Sequence, residues 1–339
     1  MKENQSLEHE KRVHMVYGVM FSIIAVAALV VMVKSYLDAN NTVTQTSSIG
    51  NATPTLNAYV QTTSAGGAAE DNAAYTGQSA TVTLTENTTT DIYIHGAASD
   101  TNGCSDITAA NATWSIKIYR SNQGAACTAD SNDCYSSDET GLSTNNCSGT
   151  DNDLDYEFAF TTANSLGLQY YADPTDAGSA NAATDWTAQV TVNDGDASQS
   201  ATDTFEMATT RALSASGQSI SYGSVSLGAL SSETSITITN TGNASIDVQA
   251  SATDMSCANS TSIDLDTVDA VGMKTTSLSG ESVLTNYTKM RNTANTMDMS
   301  IAQRTGAAST GTLYFRFLAP STGVSGSCNS TVTLTSTAG

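Results

Sequence analysis

The chain has 339 residues, of which 13% are charged, and its formal net charge is −21 because 12 Lys and Arg oppose 33 Asp and Glu. Such a surface lacks the clustered basic side chains that bind phosphate, so the composition excludes a nucleic-acid partner. The chain is too long for a single small domain, and its length suits two domains of modest size with additional segments.

An apolar run without charge or proline, VYGVMFSIIAVAALVVMV, occupies residues 16–33. It is about long enough to cross a bilayer as a helix, which takes roughly 20 apolar residues. Lys2, Lys11 and Arg12 precede the run, whereas only Lys34 follows closely. Because positive charge favours the cytoplasmic side, the N-terminus is predicted to be cytoplasmic and the remainder to lie outside the cell.

Three segments follow from this pattern: a cytoplasmic tail (1–14), a single transmembrane helix (15–34) and a stalk (35–54). Residues 16–33 would make the contact with the lipid bilayer. The stalk is rich in Ser, Thr and Asn and lacks apolar periodicity, which predicts a flexible linker.

Other interpretations of the apolar run fit less well. A cleaved signal peptide would be shorter and would end at small residues, but only Leu37 and Ala39 give a weak match. A buried core helix would show a polar face. A pilin-type assembly helix would carry Glu near its start, and no Glu lies in the run or directly before it. The filament hypothesis is retained as an alternative.

Six cysteines lie beyond the run and none before it. An even number of cysteines in an extracytoplasmic context predicts disulfides. Zinc would need closely spaced cysteine pairs or nearby histidines. His95 is the single histidine after the apolar run, so disulfides are the better interpretation. The six are Cys104, Cys127, Cys134, Cys147, Cys257 and Cys328.

Short segments of alternating polarity fill the rest of the chain and predict an all-β protein. Trp186, Ala188, Val190 and Val192, for example, share one face of a predicted strand. Seven such segments precede residue 211, and the pattern restarts with a predicted strand at 219–230. The chain is therefore predicted to form two Ig-like β-sandwiches in series, at 55–211 and 212–339. TSITITN and SIDVQASA, joined by TGNA, predict a hairpin in the second.

Two stretches resemble known surface modules. ATVTLTENTTTDIYIHGAASDTNGCSDI is similar to tandem Ig-like modules of prokaryotic surface proteins, and SVSLGALSSETSITITNTGNASIDVQASATDM is similar to CARDB-like modules of archaea and bacteria. The resemblance implies an Ig-like fold and a role outside the cell, and it brings no catalytic residues. The cysteines depart from the antibody pattern, because they lie in predicted loops and not between the sheets.

The disulfide pairing is settled only in part by the sequence. Cys257 and Cys328 are the only cysteines of the second domain and are predicted to pair. The other four allow three connectivities. Cys104–Cys127 with Cys134–Cys147 is preferred, which would staple an exposed loop at 122–152. Such a loop is a candidate binding surface, although bridges that serve stability alone are the favoured explanation.

SDTNGCSDI, residues 99–107, is the candidate metal site. Asp100, Asn102 and Asp106 offer hard oxygen ligands of the kind that bind Ca²⁺. The EF-hand spacing is absent, so further ligands would come from other loops, either Asp151 and Asp153 or Asp194 and Asp196. Of these, the first pair is the more conceivable. The competing interpretation, which the sequence favours, is an Asx-type turn with a nearby disulfide.

No catalytic motif appears in the sequence. Ser nucleophile elbows, HExxH and phosphate-binding loops are absent. His95 lies in a predicted strand and is expected at the surface or rim of the sandwich. The chain is therefore predicted not to be an enzyme.

The leading hypothesis is a membrane-anchored cell-surface protein with a structural or adhesive role, whose partner outside the cell is a protein or a glycan. The alternatives are a glycan-binding module or extracellular glycan-acting enzyme, and a pilin-like filament subunit assembled through the N-terminal helix.

Overall fold

The structure is a computed structural model, and it describes residues 3–37, 50–62, 81–130, 132–217, 219–258, 261–277 and 279–339. Residues 1–50 and residues 51–339 form two compact units. Most of the predicted stalk falls on residues 38–49, which lie outside the described residues.

The first unit contains one helix, α1, at Glu3–Leu37. It is longer than the predicted 15–34 at both ends. The preceding residues ENQSLEHEKRVH contain many good helix formers, Glu, Gln, Leu, Lys and Arg, so the helix extends over the charged tail. Within residues 11–28 every side chain is exposed, including Phe21 at 73%.

The second unit is all-β, as predicted, and begins with a sandwich of twelve short strands. The strands are β1 (Thr55–Leu56), β2 (Tyr59–Gln61), β3 (Thr81–Val82), β4 (Thr89–Thr90), β5 (Ile92–Ser99), β6 (Thr113–Arg120), β7 (Cys134–Asp138), β8 (Leu142–Asn145), β9 (Asp153–Phe160), β10 (Leu168–Gln169), β11 (Trp186–Asn193) and β12 (Ser198–Met207).

The topology of this first sandwich is Ig-like. One sheet has the order β1–β5–β9–β8, with β2 also on β5, and the other has the order β3–β12–β11–β6–β7. These correspond to the A-B-E-D and G-F-C-C′ sheets of the immunoglobulin fold. The first strand of the fold is divided between the sheets, since β3 pairs with β12 in parallel. Strands β4 and β10 form a separate ribbon.

Apolar side chains at alternating positions build the core between these sheets. Trp186, Ala188, Val190 and Val192 are all fully buried, so their predicted common face is confirmed. Phe205, directly opposite Trp186 on β12, stacks on its ring with the centroids 6.2 Å apart.

The loops of the first sandwich lie at its two opposite ends. The end called the proximal pole carries the loops 100–112, 146–152 and 194–197, and β1 begins there beside the end of β5. The opposite end, called the distal pole, carries the loops 121–133 and 161–185 and the end of β12. The chain enters the sandwich at the proximal pole and leaves it at the distal pole.

A second sandwich with its own core follows from residue 213. Its strands are β13 (Leu213–Ala215), β14 (Thr234–Asn240), β15 (Ile246–Ala252), β16 (Met255–Cys257), β17 (Thr261–Ile263), β18 (Val271–Lys274), β19 (Thr288–Lys289), β20 (Asn295–Ile301), β21 (Thr310–Phe317), β22 (Cys328–Asn329) and β23 (Val332–Ala338). The sheets have the orders β13–β14–β21–β18–β19, β20–β15–β23 and β17–β16–β22. Whether the two sandwiches are independent domains divided at 211/212 stays a prediction.

The predicted hairpin around TGNA is wrong, because β14 and β15 belong to different sheets. The fully buried side chain of Asn240 donates hydrogen bonds to the backbone carbonyls of Ala244, Ile301 and Ala302, at 2.8, 3.1 and 3.0 Å. These bonds hold the segment as a corner that crosses from one sheet to the other.

The predicted strand 219–230 is also wrong. Among its described residues only Leu230 forms a bridge, to Leu318. Alternation is nevertheless meaningful here, since Ile220 and Tyr222 pack against the second core and Tyr222 lies 5.5 Å from the Phe317 ring. The segment partly buries Ile220 and Tyr222, and its backbone pairs only near its end, where the Gly228 amide donates to the Ala319 carbonyl at 3.1 Å.

Candidate functional site

Three carboxylates converge at the proximal pole. Asp100 follows β5, Asp106 lies in the same loop, and Asp194 follows β11. One ligand atom of each lies within 4.8 Å of the others. Asp100 and Asp194 are only 2% and 1% exposed. Two loops from opposite sheets therefore bring a concentrated negative charge to one buried position.

The structure brings two of the three predicted ligands together, and metal binding there stays a prediction. Asp100 and Asp106 belong to this group of carboxylates, whereas the Oδ1 atom of Asn102 accepts a hydrogen bond of 2.7 Å from the Ala52 amide. The extra carboxylate comes from Asp194. Asp151, preferred from the sequence, instead accepts a hydrogen bond from the Ser148 hydroxyl at 2.9 Å.

The predicted Asx turn forms at Asp100, and a second Asx turn forms at Asp194. Each turn uses only one oxygen of its carboxylate. Asp100 Oδ1 accepts from the Asn102 amide at 2.7 Å. Asp194 Oδ1 accepts from the amides of Asp196 and Ala197 at 2.8 and 2.7 Å. Within the described residues, the Oδ2 atoms of Asp100 and Asp194 are buried and form no hydrogen bond of standard geometry. Besides the Ala197 amide, the Asn51 side chain contributes to lowering the pKa of Asp194. No described side chain donates to Asp100 Oδ2, which has lost its solvation without a hydrogen bond in return.

The pKa values reflect this arrangement. Burial, with the nearby charges of Asp100, Asp194 and Asp196, raises the pKa of Asp106 above its ordinary value. The pKa of Asp194 is instead lowered, chiefly by the backbone hydrogen bond from Ala197. The turn thus stabilises one ionised carboxylate, and the cluster opposes the ionisation of another.

The loop that carries Asp100 and Asp106 is held at several points. The Trp114 indole donates to the Ile107 carbonyl at 2.8 Å. The amides of Asp100 and Cys104 donate to the carbonyls of Asn152 and Asp151 at 2.7 and 2.8 Å. The Cys104–Cys147 disulfide joins the same two loops. The carboxylates are therefore fixed by a rigid frame.

The disulfide pairing differs from the predicted one in the first sandwich. The bonds are Cys104–Cys147, Cys127–Cys134 and Cys257–Cys328, and the described residues contain no free cysteine. Only the last was predicted. The segment 122–152 is not one loop, since it contains β7 and β8. These strands carry the chain from the distal pole, with Cys127, to the proximal pole, with Cys147.

His95 is not at the surface or rim, contrary to the sequence-based expectation. It is fully buried, and its Nδ1 lies 3.2 Å from Oε2 of Glu157, which is 4% exposed. The two residues face each other across the β5–β9 pair. The pair lies on the face of this sheet that points away from the core, since Ile94 and Phe158, which neighbour His95 and Glu157 along the strands, belong to the core.

The distal pole forms a polar junction with the second sandwich. Asn243, fully buried, donates from Nδ2 to the carbonyls of Ala172 and Ala208 at 3.1 and 3.0 Å and accepts from the Thr210 amide at 2.6 Å. Gln303 donates to the Tyr171 carbonyl at 2.7 Å and to Asp173 at 2.9 Å. Sequence periodicity gave no sign of these residues, because they lie in turns.

No known protein family and no curated protein matches this sequence. Among solved structures, a CsuC–CsuE chaperone–tip adhesion subunit complex of Csu pili from Acinetobacter baumannii is 10% identical, covers 76% of this chain and 96% of that chain, and gives a TM-score of 0.32. A chaperone–tip adhesin complex of CFA/I fimbriae biogenesis is 12% identical, with coverages of 86% and 92% and a TM-score of 0.28. A structure named BspA_C_mut is 10% identical, with coverages of 85% and 95% and a TM-score of 0.21. Similarity this remote assigns neither function nor partner.

Proposed function

We propose that the chain is a membrane-anchored cell-surface protein whose Ig-like unit has a structural or adhesive role outside the cell. The observation that carries this proposal is helix α1. Its apolar side chains between Met15 and Val26 are exposed on all sides, and the helix has no polar face. A stretch from Lys11 to Ala28 is apolar and long enough to span a membrane. Lipid is the solvent in which such a surface is stable.

Disulfides support an extracytoplasmic location for the second unit. Three bonds occur in its described residues, whereas cytosolic proteins are kept reduced. The closed loops span between 7 and 71 residues of sequence, and cross-links of this kind stabilise a fold outside the cell by restricting the unfolded chain.

In the proposed role, the helix holds the Ig-like unit outside the cell, where the unit contacts a partner and does not catalyse a reaction. The junction hydrogen bonds of Asn243 and Gln303 couple the two sandwiches, which suits a stiff tandem module. A glycan-binding role gains nothing from the tryptophans, because Trp114 and Trp186 are 4% and 0% exposed and neither offers a face for a sugar ring. The partner is proposed to be a macromolecule outside the cell.

Membrane fractionation of the full-length chain with a C-terminal tag tests this proposal. We expect the chain to stay in the pellet after a carbonate wash and to keep its N-terminal peptide by mass spectrometry. A chain shortened at a site after Val33, or one released by carbonate, would contradict an uncleaved anchor.

The filament alternative uses the same helix and needs a separate test. A subunit that assembles through α1 would yield filaments in sheared surface material. Electron microscopy of that fraction from expressing cells distinguishes the two, since an anchored monomer yields none.

A further inference from the structure

We propose that Asp100, Asp106 and Asp194 bind one Ca²⁺ ion, which closes the proximal pole of the first sandwich around the point where the chain enters it. The buried Oδ2 atoms of Asp100 and Asp194, which form no standard hydrogen bond to any described residue, are the primary ligands, and Asp106 supplies the third carboxylate. The inference goes beyond the surface role and depends on it only for the source of the ion, since Ca²⁺ is abundant outside cells.

The spacing of the oxygens fits one calcium ion. Ca²⁺–oxygen distances are about 2.3–2.6 Å, so two ligands of one ion lie at most about 5.2 Å apart. One carboxylate oxygen from each of the three aspartates lies within 4.8 Å of the other two. Calcium accepts six to eight oxygens in flexible geometry, and carboxylates can bind through both oxygens. Backbone carbonyls and water complete such a shell.

The charge of the cluster also favours a cation. Three carboxylates, two of them more than nine-tenths buried, repel one another, and Asp196 adds a fourth charge nearby. The described residues place no Lys or Arg in a salt bridge with any of them. A divalent ion supplies the missing positive charge, and hard oxygen ligands select calcium over the metals that prefer His or Cys.

The position of the site gives the ion a mechanical role. Asn102, between Asp100 and Asp106, accepts the hydrogen bond from the Ala52 amide. Ala52 belongs to the segment that leads into β1. An ion that fixes the 100–112 loop against the 194–197 loop therefore also fixes the first residues of the second unit.

Thermal melts of the full-length chain in detergent test the binding, with EDTA or with Ca²⁺ at hundredfold excess over its Kd from calorimetric titration. We expect Ca²⁺ to raise the midpoint by about 5 °C. Asp106→Asn and Asp194→Asn should abolish the rise, and Asp106→Asn should melt no lower than wild type in EDTA because it relieves repulsion.

The matched control is Asp264→Asn. Asp264 forms a similar Asx turn in the second sandwich, since its Oδ1 accepts from the Asp266 amide at 2.9 Å and the Thr267 amide at 3.3 Å. This variant should keep the full Ca²⁺ response. Coincident melts of the wild type in EDTA and Ca²⁺, or a response retained in both cluster variants, would overturn the site.

Hydrogen–deuterium exchange tests the mechanical role separately. Ca²⁺ should slow amide exchange in residues 50–56 by at least about tenfold and leave residues 213–216 of the second sandwich unchanged. Binding without slower exchange at 50–56 would overturn the closure of the pole while leaving the ion site in place.

Discussion

The guanidinium of Arg304 lies over the ring of Tyr171, 4.6 Å from its centroid, and joins the second sandwich to the distal pole of the first. Arg304 also donates to the Tyr170 hydroxyl at 3.0 Å, and its carbonyl accepts from Asn132 at 2.8 Å. One side chain thus contacts both tyrosines of a single loop in the first sandwich.

Replacing Arg304 by Ala should weaken the junction. A cation over an aromatic ring contributes about 0.5–2 kcal/mol, so we expect Arg304→Ala to lower the free energy of unfolding by about 1–2 kcal/mol. Urea unfolding followed by fluorescence measures this change. The exposed Arg211 is the control, and Arg211→Ala should cost less than about 0.5 kcal/mol. Equal losses in both variants would exclude a specific role for Arg304.

Asn243 should matter more than Arg304. Asn243→Ala removes three hydrogen bonds at a fully buried position and leaves the Thr210 amide and two carbonyls without their partner. Each such loss costs about 1–3 kcal/mol, so we expect a destabilisation of at least about 3 kcal/mol in the same urea assay. Asn329→Ala, at an exposed asparagine, is the control. A loss below 1 kcal/mol for Asn243→Ala would show that the junction does not depend on it.

The junction should also respond to pH through Asp173. Burial raises the pKa of this carboxyl, and the hydrogen bond from Gln303 and the charge of Arg120 oppose the rise only in part. A raised pKa in the folded state means that the folded chain binds the proton more tightly. This contribution to stability is therefore complete below the ordinary Asp pKa of about 3.9 and is lost as pH rises through the raised value.

Asp173→Asn isolates this effect, because the other carboxyls titrate alike in both proteins. The free energy of unfolding of the wild type, minus that of Asp173→Asn, should fall between pH 3.5 and pH 7. A difference that rises with pH over that range would mean that folding lowers the pKa of Asp173, which would contradict the prediction.

Position 96 requires glycine because the backbone of Asn57 and the ring of Tyr156 lie close to its Cα. A Cβ at this position would overlap the Asn57 carbonyl oxygen and lie 2.7 Å from Cε1 of Tyr156. Tyr156 itself donates a hydrogen bond to that carbonyl. We expect Gly96→Ala to destabilise the chain by about 1–3 kcal/mol in thermal or urea unfolding. Gly280→Ala, where a Cβ meets nothing within 4 Å, should be near neutral. Equal stability of the two variants would contradict the packing.

The proposed membrane anchor makes a prediction about insertion. A charged residue at the centre of a spanning helix costs about 2.5–3.5 kcal/mol. We therefore expect Ala27→Asp to release or mislocalise the chain, whereas Ala27→Leu should leave it in the membrane fraction. Immunoblotting after a carbonate wash measures both, and an Ala27→Asp chain that stays fully membrane-bound would show that this helix is not the anchor.

The sequence predicted those features that depend on local alternation. Strands β9 and β11 lie within segments that alternation predicts at 153–162 and 185–194, and β5, β6 and β12 overlap those predicted at 91–95, 114–120 and 202–210. Alternate apolar residues bury one face of a strand whichever strand it pairs with, so this signal is local. The predicted hairpin at TGNA was wrong because the path of the chain there depends on contacts that are distant in sequence. Nothing local distinguishes a turn within one sheet from a corner between two, and here the side-chain bonds of Asn240 to residues 301 and 302 decide it.

The candidate site shows the same limit. Asp100 and Asp106 were found because they lie in one short stretch, but Asp194 follows a strand of the opposite sheet. Asp194 lies beside Asp100 and Asp106 because β11 pairs with β6 in the fold. The alternation of polar and apolar residues does not reveal which strands pair. The Cys104–Cys147 bond escaped prediction in the same way, since β7 and β8 carry Cys147 to the proximal pole.

Protease shaving of intact cells tests the central claim most directly. The full-length chain would carry one epitope tag before residue 1 and another after residue 339. A surface protein anchored by α1 predicts loss of the C-terminal tag and protection of the N-terminal tag until the membrane is dissolved. A C-terminal tag that survives on intact cells, while a known surface protein is digested, would contradict the account.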